Sequence, residues 1–172
     1  ATCSPVPARD GARVGDLIYV TGTLGDALAG FELIEAGFDE VGPLANAYNR
    51  PKPRLAEGRI LAPLVHAMMD ISDGLLLDAE RMASASAVEI AIDLSRVPLS
   101  TSYVSYRSDT LESRMQAASW GDDYELLFAA APDIEIKVAA TQVGYVREGA
   151  GLSLFDGERR LALPPSLGYQ HQ

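Results

Sequence analysis

The stretch that most limits how this chain can fold is Asp70-Ile71-Ser72-Asp73-Gly74, which runs directly into Leu75, Leu76 and Leu77. A closing glycine followed by apolar residues at helical spacing requires a corner there, with two carboxylates and a hydroxyl held on it. The corner has two readings. Mg²⁺ takes one or two protein carboxylates and leaves its other positions to water and substrate phosphates. The free N–H groups of a helix start donate to phosphate oxygens, and glycine lets a ligand approach the backbone. Against this, Asp and Ser are preferred N-caps, so Ser72 or Asp73 would close a first helical turn with no ligand present. From these five residues both readings stand.

Periodicity supplies the elements around the corner. Leu17 to Val20 reads as a short strand buried on both faces, and Leu24, Ala27, Leu28, Phe31 and Ile34 as an amphipathic helix stopped at Gly37. Little order is expected before Arg13. The Pro-rich section from Pro43 to Pro53 reads as a long loop with one short helical turn, in which Lys52 and Arg54 are more ordinary as solvated cations than as anion ligands. Leu61, Leu64, Val65 and Met68 share a helical face, with a kink at Pro63 and His66 pointing off it to the surface.

Beyond the corner, Leu75, Ala79 and Met82 mark the buried side of a helix whose Asp78 and Arg81 face away as an i, i+3 pair. Val88, Ile90, Ile92 and Leu94 alternate as a strand covered on one face. A helical stretch follows around Leu111 to Ala118. The chain closes with a hairpin from Leu152 to Leu163 that turns at Asp156 and Gly157. The sum is an α+β fold: a mixed β-sheet of about six strands with packed helices.

With 172 residues and 48% hydrophobic content the chain can build one sizeable core. A formal charge of −10 argues against nucleic acid or an anionic membrane as partner, while a phosphorylated ligand fits if metal neutralises it locally. There is no membrane-length apolar run and no secretory pattern. The single Cys3 forms no internal disulfide, which fits a cytoplasmic location.

A second stretch, Gly121-Asp122-Asp123-Tyr124-Glu125-Leu126-Leu127-Phe128, places three acids at the start of an apolar strand, where Asp is normally depleted. Strand alternation puts Asp123 and Glu125 on one face. Carboxylates there would bind metal, receive a cationic or amine-bearing ligand, or lie at a solvated edge, the last being the ordinary case.

DISDGLLLD at 70–78, GDDYELLF at 121–128 and VTGTLGDALAG at 20–30 together resemble the thiamine-monophosphate kinase family, specifically its C-terminal domain. The resemblance spans roughly residues 9 to 171, and the paired motifs are more specific than DISDG alone. It places the chain in the aminoimidazole ribonucleotide synthetase-like superfamily and implies ATP-dependent phosphorylation of thiamine monophosphate to thiamine diphosphate, assisted by Mg²⁺. By position, Asp70 and Asp73 are implied as metal ligands, Ser72 as an ATP contact, and Glu125 and Tyr169 as substrate contacts. Asp122 and Asp123 are implied as support behind them.

On this reading residues 1–12 are a linker or truncated connection, 13–172 are the C-terminal domain, and an N-terminal ATP- and metal-binding domain is the missing partner. The full-length enzyme is expected to be a homodimer and the isolated domain inactive. Trp120 departs from the family, which commonly has glycine before GDDYEL, and the arginine usual in the entering segment has no counterpart among residues 1 to 8. Two rivals remain: another ATP-using synthetase or maturation enzyme of the superfamily, and a non-enzymatic nucleotide- or metabolite-binding or assembly domain.

Overall fold

The computed structural model describes residues 6–38 and 42–169; Cys3 and the residues after Tyr169 lie outside them. Its frame is a seven-stranded mixed sheet of order β2-β4-β1-β5-β3-β6-β7. The strands are β1 (Leu17–Thr21), β2 (Ala67–Asp70), β3 (Glu89–Asp93), β4 (Leu126–Ala130), β5 (Ala140–Arg147), β6 (Gly151–Asp156) and β7 (Arg159–Leu161). All neighbours are antiparallel except β3 and β6. The helices are α1 (Asp26–Glu35), α2 (Pro43–Asn49), α3 (Leu55–Leu61), α4 (Leu75–Ser86), α5 (Thr101–Arg107) and α6 (Leu111–Ser119). The expected α+β architecture holds, with one strand more than expected.

Helix α4 packs on one sheet face. Its Leu75, Leu76, Ala79 and Met82 have no exposed surface and meet Ile18 and Val20 of β1, Ile90 and Ile92 of β3, Leu127 of β4 and Val143 of β5 in one core. Each such leucine removed from water contributes about 1.5–3 kcal/mol, so this face fixes where the preceding corner must sit. On the other face, Phe128 stacks on Tyr19 at 5.3 Å between ring centres, beneath Leu61 and Val65. Strand β1 is therefore covered on both sides, as its unbroken apolar run requires.

Several expectations are corrected. The helical face drawn through Leu61, Leu64, Val65 and Met68 is not one helix: α3 ends at Leu61 and Met68 lies in β2. A pyrrolidine at Pro63 lacks an N–H for the next turn, and the chain turns to become an edge strand instead. His66 is not a free surface residue, because its Nδ1 lies 2.9 Å from the buried carboxylate of Asp16. Strand β3 is buried on both faces, since Ala91 is 1% exposed between β5 and β6.

Asp78 does not face away. It has no exposed surface, although its pairing with Arg81 is present. The Pro-rich loop carries α2, opened by Gly42 and Pro43, and α5 lies between β3 and the helical stretch expected around Leu111, capped by Ser100. The lead-in is tied down before Arg13: the Ala8 carbonyl accepts from Met68 N–H, and Ala12 N–H donates to Ser86 Oγ. The hairpin turn is Gly157 and Glu158, flanked by the pair Asp156 and Arg159.

Candidate functional site

The two acidic motifs are hydrogen-bonded to each other. Strand β2 pairs with β4 up to Asp70 opposite Leu126, and an irregular ladder continues past it. Ile71 N–H donates to Glu125 O at 2.8 Å, Tyr124 N–H to Ile71 O at 2.9 Å, and Asp122 N–H to Ser72 O at 3.0 Å. On the far side of the corner, Tyr169 N–H donates to Asp73 O. Three segments distant in sequence thus meet over residues 70–74.

Two glycines make that approach possible. A Cβ on Gly121 would lie 2.3 Å from Ser72 O, and one on Gly168 would lie 2.2 Å from Asp73 O. The loop between Gly121 and Leu126 is not a strand, so the alternation expected for Asp123 and Glu125 fails: Asp122 and Tyr124 both take positive φ, 66° and 51°. Trp120 itself is extended and needs no glycine.

The helix start is not capped by Ser72 or Asp73; the residue before α4 is Gly74, with no side-chain cap. Nor are the N–H groups of Ser72 and Asp73 open to a phosphate. Both donate to Asp78 Oδ2, at 3.1 and 3.0 Å, so a buried carboxylate one turn into α4 occupies the place an anion would take. Burial pushes the Asp78 carboxyl above its usual range, while the Asp73 N–H and Arg81 pull the other way. Arg81 bridges Asp78, at 2.9 Å, and Asp73.

Asp73 and Ser72 border a cavity of about 710 Å³ with Trp120, Asp122, Tyr124 and Tyr169. Asp70 is exposed and borders a second, largely apolar cavity of about 590 Å³ with Arg54 and Tyr124. Glu125 and Asp123 border a third of about 500 Å³ with Lys52 and Arg54. Tyr124 walls the first two cavities and Arg54 the last two. The expected site residues therefore border three cavities, linked in turn by Tyr124 and Arg54, rather than one pocket. The Asp122 carboxylate raises the Tyr124 phenol above its ordinary pKa, helped by burial and by Asp70 and Asp73.

Among the described residues no group of three or more His, Cys, Asp or Glu side chains could by itself hold a metal ion. Two protein carboxylates are as many as Mg²⁺ takes when phosphate oxygens and water supply the rest; here Asp70 and Asp73 border different cavities, and Asp73 is already paired with Arg81.

Glu125 is no solvated edge carboxylate. It is 7% exposed and held by a two-pronged contact with Arg54, Nε to Oε2 at 2.7 Å and the second guanidinium nitrogen to Oε1 at 2.6 Å. Thr21 Oγ1 donates to Oε2 at 2.6 Å. Asp123 accepts from Gly25 N–H at 3.1 Å and from Ala27 N–H, anchoring the start of α1. Burial raises its carboxyl well above the usual range against those donors, and Asp26 and Glu125 add to the rise. The sequence reading missed Arg54, Asp78 and Tyr124 as site components. Arg54 reads in the sequence as a solvated cation, and an aspartate one turn into an apolar helix was the signal available for Asp78.

A model of the family "AIR synthase related protein, C-terminal domain" matches residues 13–157. The thiamine-monophosphate kinase of Caulobacter vibrioides is 33% identical over 177 residues, covering 95% of this chain and 50% of its own length. That of Aquifex aeolicus is 36% identical over 161 residues, covering 88% and 51%. The chain thus spans about half the length of these curated relatives. A solved structure of AaThiL complexed with AMPPCP and TMP superposes with a TM-score of 0.81 at 33% identity, over 95% of this chain and 54% of that one. The thiamine-monophosphate kinase of Stenotrophomonas maltophilia K279a gives 0.77 at 32%, over 86% and 52%. The hydrogenase maturation protein HypE of E. coli, at 20% identity and TM-score 0.70 over 94% and 53%, shares the fold alone.

Proposed function

The chain belongs to the AIR synthase related protein C-terminal domain family, and from that premise we propose that it is the C-terminal half of a thiamine-monophosphate kinase. The enzyme would move the γ-phosphoryl group of ATP onto the phosphate of thiamine monophosphate. A phosphate oxygen of thiamine monophosphate bonds to the γ-phosphorus, the bond from that phosphorus to the β,γ-bridging oxygen breaks, and ADP departs with the electron pair. One observation carries the reading: residues 70–74, the 121–125 loop and Tyr169 are joined by backbone hydrogen bonds at a single corner. The relatives at 33 and 36% identity bear the same activity in their names, so a synthetase or maturation enzyme and a non-enzymatic domain are not favoured.

Phosphoryl transfer is served by positioning and charge neutralisation, without a protein nucleophile. Mg²⁺ bound here would neutralise phosphate charge, with Asp70 and Asp73 as its protein ligands. Ser72 Oγ would contact ATP, Glu125 would accept from the amine-bearing ring of the substrate, and Tyr169 would lie against its ring system. Asp122 and Asp123 act behind them, Asp123 by fixing the α1 start. Residues 1–12 would connect to an N-terminal ATP- and metal-binding domain, leaving 13–172 as the C-terminal domain and half of the site. A cytoplasmic homodimer completes the proposal; among the described residues no helix is long and apolar enough to cross a membrane.

The test is ATP-dependent formation of thiamine diphosphate from thiamine monophosphate. The full-length polypeptide should turn over and the 172 residues alone should give little or no product. No product from the full-length protein refutes the activity, and robust turnover by the 172 residues refutes the half-site.

A further inference from the structure

Arg54 stands just before α3, 71 residues from the acid it grips. Its guanidinium lies against both oxygens of Glu125, while its remaining nitrogen reaches Glu57 Oε1 at 3.3 Å. Planar forks of this kind fix the plane of a carboxylate as well as its charge, which a lysine cannot do. Thr21 completes the clamp: its hydroxyl donates to Glu125 Oε2 and accepts from Leu126 N–H at 2.8 Å. Beside them Gly22 has φ +54°, and a Cβ there would lie 2.1 Å from Glu125 Oε1. Arg54, Thr21 and Gly22 thus hold the Glu125 carboxylate in one orientation.

A carboxylate offers about four acceptor positions, and the named donors occupy three. Among the described residues Oε1 accepts from Arg54 alone, so Glu125 keeps acceptor capacity while the clamp stays closed, and it borders a cavity of about 500 Å³ that Arg54 also walls. We infer that Arg54 is a positioning residue for substrate binding, acting through Glu125: its fork sets the plane in which Glu125 accepts from the substrate's amine-bearing ring. The inference rests on Glu125 being a substrate contact, as proposed above. Arg54 itself contacts neither ATP nor the reacting phosphates in this scheme.

The experiment uses the full-length enzyme and the variants Arg54→Gln, Arg54→Lys, Glu125→Gln and the double variant Arg54→Gln/Glu125→Gln, with KM for thiamine monophosphate and for ATP measured separately. Arg54→Gln should raise KM for thiamine monophosphate about tenfold or more and change KM for ATP less than about twofold. Arg54→Lys, which keeps the charge and loses the fork, should fall between the wild type and Arg54→Gln. The double variant should match Glu125→Gln within about twofold, because Arg54 works through that side chain.

If the two single effects multiply in the double variant, Arg54 acts independently of Glu125 and the inference is overturned. It is also overturned if Glu125→Gln raises KM for thiamine monophosphate while Arg54→Gln and Arg54→Lys leave it unchanged. An unchanged KM in Glu125→Gln instead removes the substrate role of Glu125, and the inference falls with it. Should Arg54→Gln fold poorly, Arg54→Lys retains a cation at the buried carboxylate and carries the same comparison against Glu125→Gln.

Discussion

Tyr169 donates its backbone N–H to the carbonyl oxygen of Asp73 at 2.9 Å, so the end of the described chain is seated on the same turn that carries the proposed metal ligands. The seat depends on Gly168, where an added Cβ would meet Asp73 O at 2.2 Å. Gly168→Ala should therefore lift the segment, because the obstructing atom is backbone and cannot swing aside. Hydrogen exchange at the Tyr169 amide should accelerate and affinity for thiamine monophosphate should fall, with thermal stability nearly unchanged because Tyr169 is 62% exposed. Unchanged exchange at that amide would contradict the seating.

Asp70 and Asp78 are both aspartates of the corner and should behave oppositely. Asp78 is fully buried and accepts from Ser72 N–H, Asp73 N–H and Arg81. Asp78→Ala leaves the Ser72 and Asp73 N–H groups without their acceptor, and Arg81 with Asp73 as its remaining carboxylate, and should cost about 3–5 kcal/mol in urea unfolding. Asp70 is exposed, so Asp70→Asn should change stability by no more than about 0.5 kcal/mol while raising the Mg²⁺ concentration that full-length turnover requires. Equal loss of stability in both would mean Asp70 serves the fold.

Much of this was legible because local pattern and tertiary burial agree. Leu75, Ala79 and Met82 declare the buried side of α4 at 3.6-residue spacing, and all three have no exposed surface. The stop at Gly37 and the terminal hairpin were equally plain. What failed did so for physical reasons. Met68 falls at helical spacing from Leu61 by accident, across the end of α3 and the start of a four-residue strand.

Strand β5 went unread because Gly144, pressed against Ala91 O, interrupts its alternation. At the site, the types of Asp70, Asp73 and Glu125 were visible but their partners were not. The Arg54–Glu125 clamp joins residues 71 positions apart. The bend at 121–125 is made by Asp122 and Tyr124 in left-handed conformations, which no glycine advertises.

The environment of Asp123 sets the expected sign of one pH dependence of stability. Burial raises its folded-state carboxyl well above the ordinary value, so between that ordinary value and the raised one the folded protein holds a proton that the unfolded chain has released. Stability from this group is then fully present below about pH 4 and declines as pH rises, by at most about 1.4 kcal/mol per pH unit, until the folded-state carboxyl also ionises. Asp123→Asn keeps an oxygen for Gly25 N–H and should flatten that decline in urea midpoints measured from pH 4 to 7. A wild-type slope that survives the substitution would assign it to another group.

Trp120, the single tryptophan of these 172 residues, is placed to report on the site. Trp120 lies 5.4 Å from Phe31, ring centre to ring centre and 30° from parallel, and lines the cavity shared by Asp73 and Tyr169. Its indole N–H is buried and has no hydrogen-bond partner among the described residues. An unsatisfied donor costs about 1–3 kcal/mol, which offsets much of what the larger ring gains by packing. Trp120→Phe should keep the stacking on Phe31 and change stability by less than about 1 kcal/mol, whereas Trp120→Ala should lose about 3–5 kcal/mol. In the full-length protein, thiamine monophosphate should change the tryptophan emission saturably, and that component should vanish in Trp120→Phe. A ligand-dependent signal identical in the two proteins would place the substrate away from this cavity.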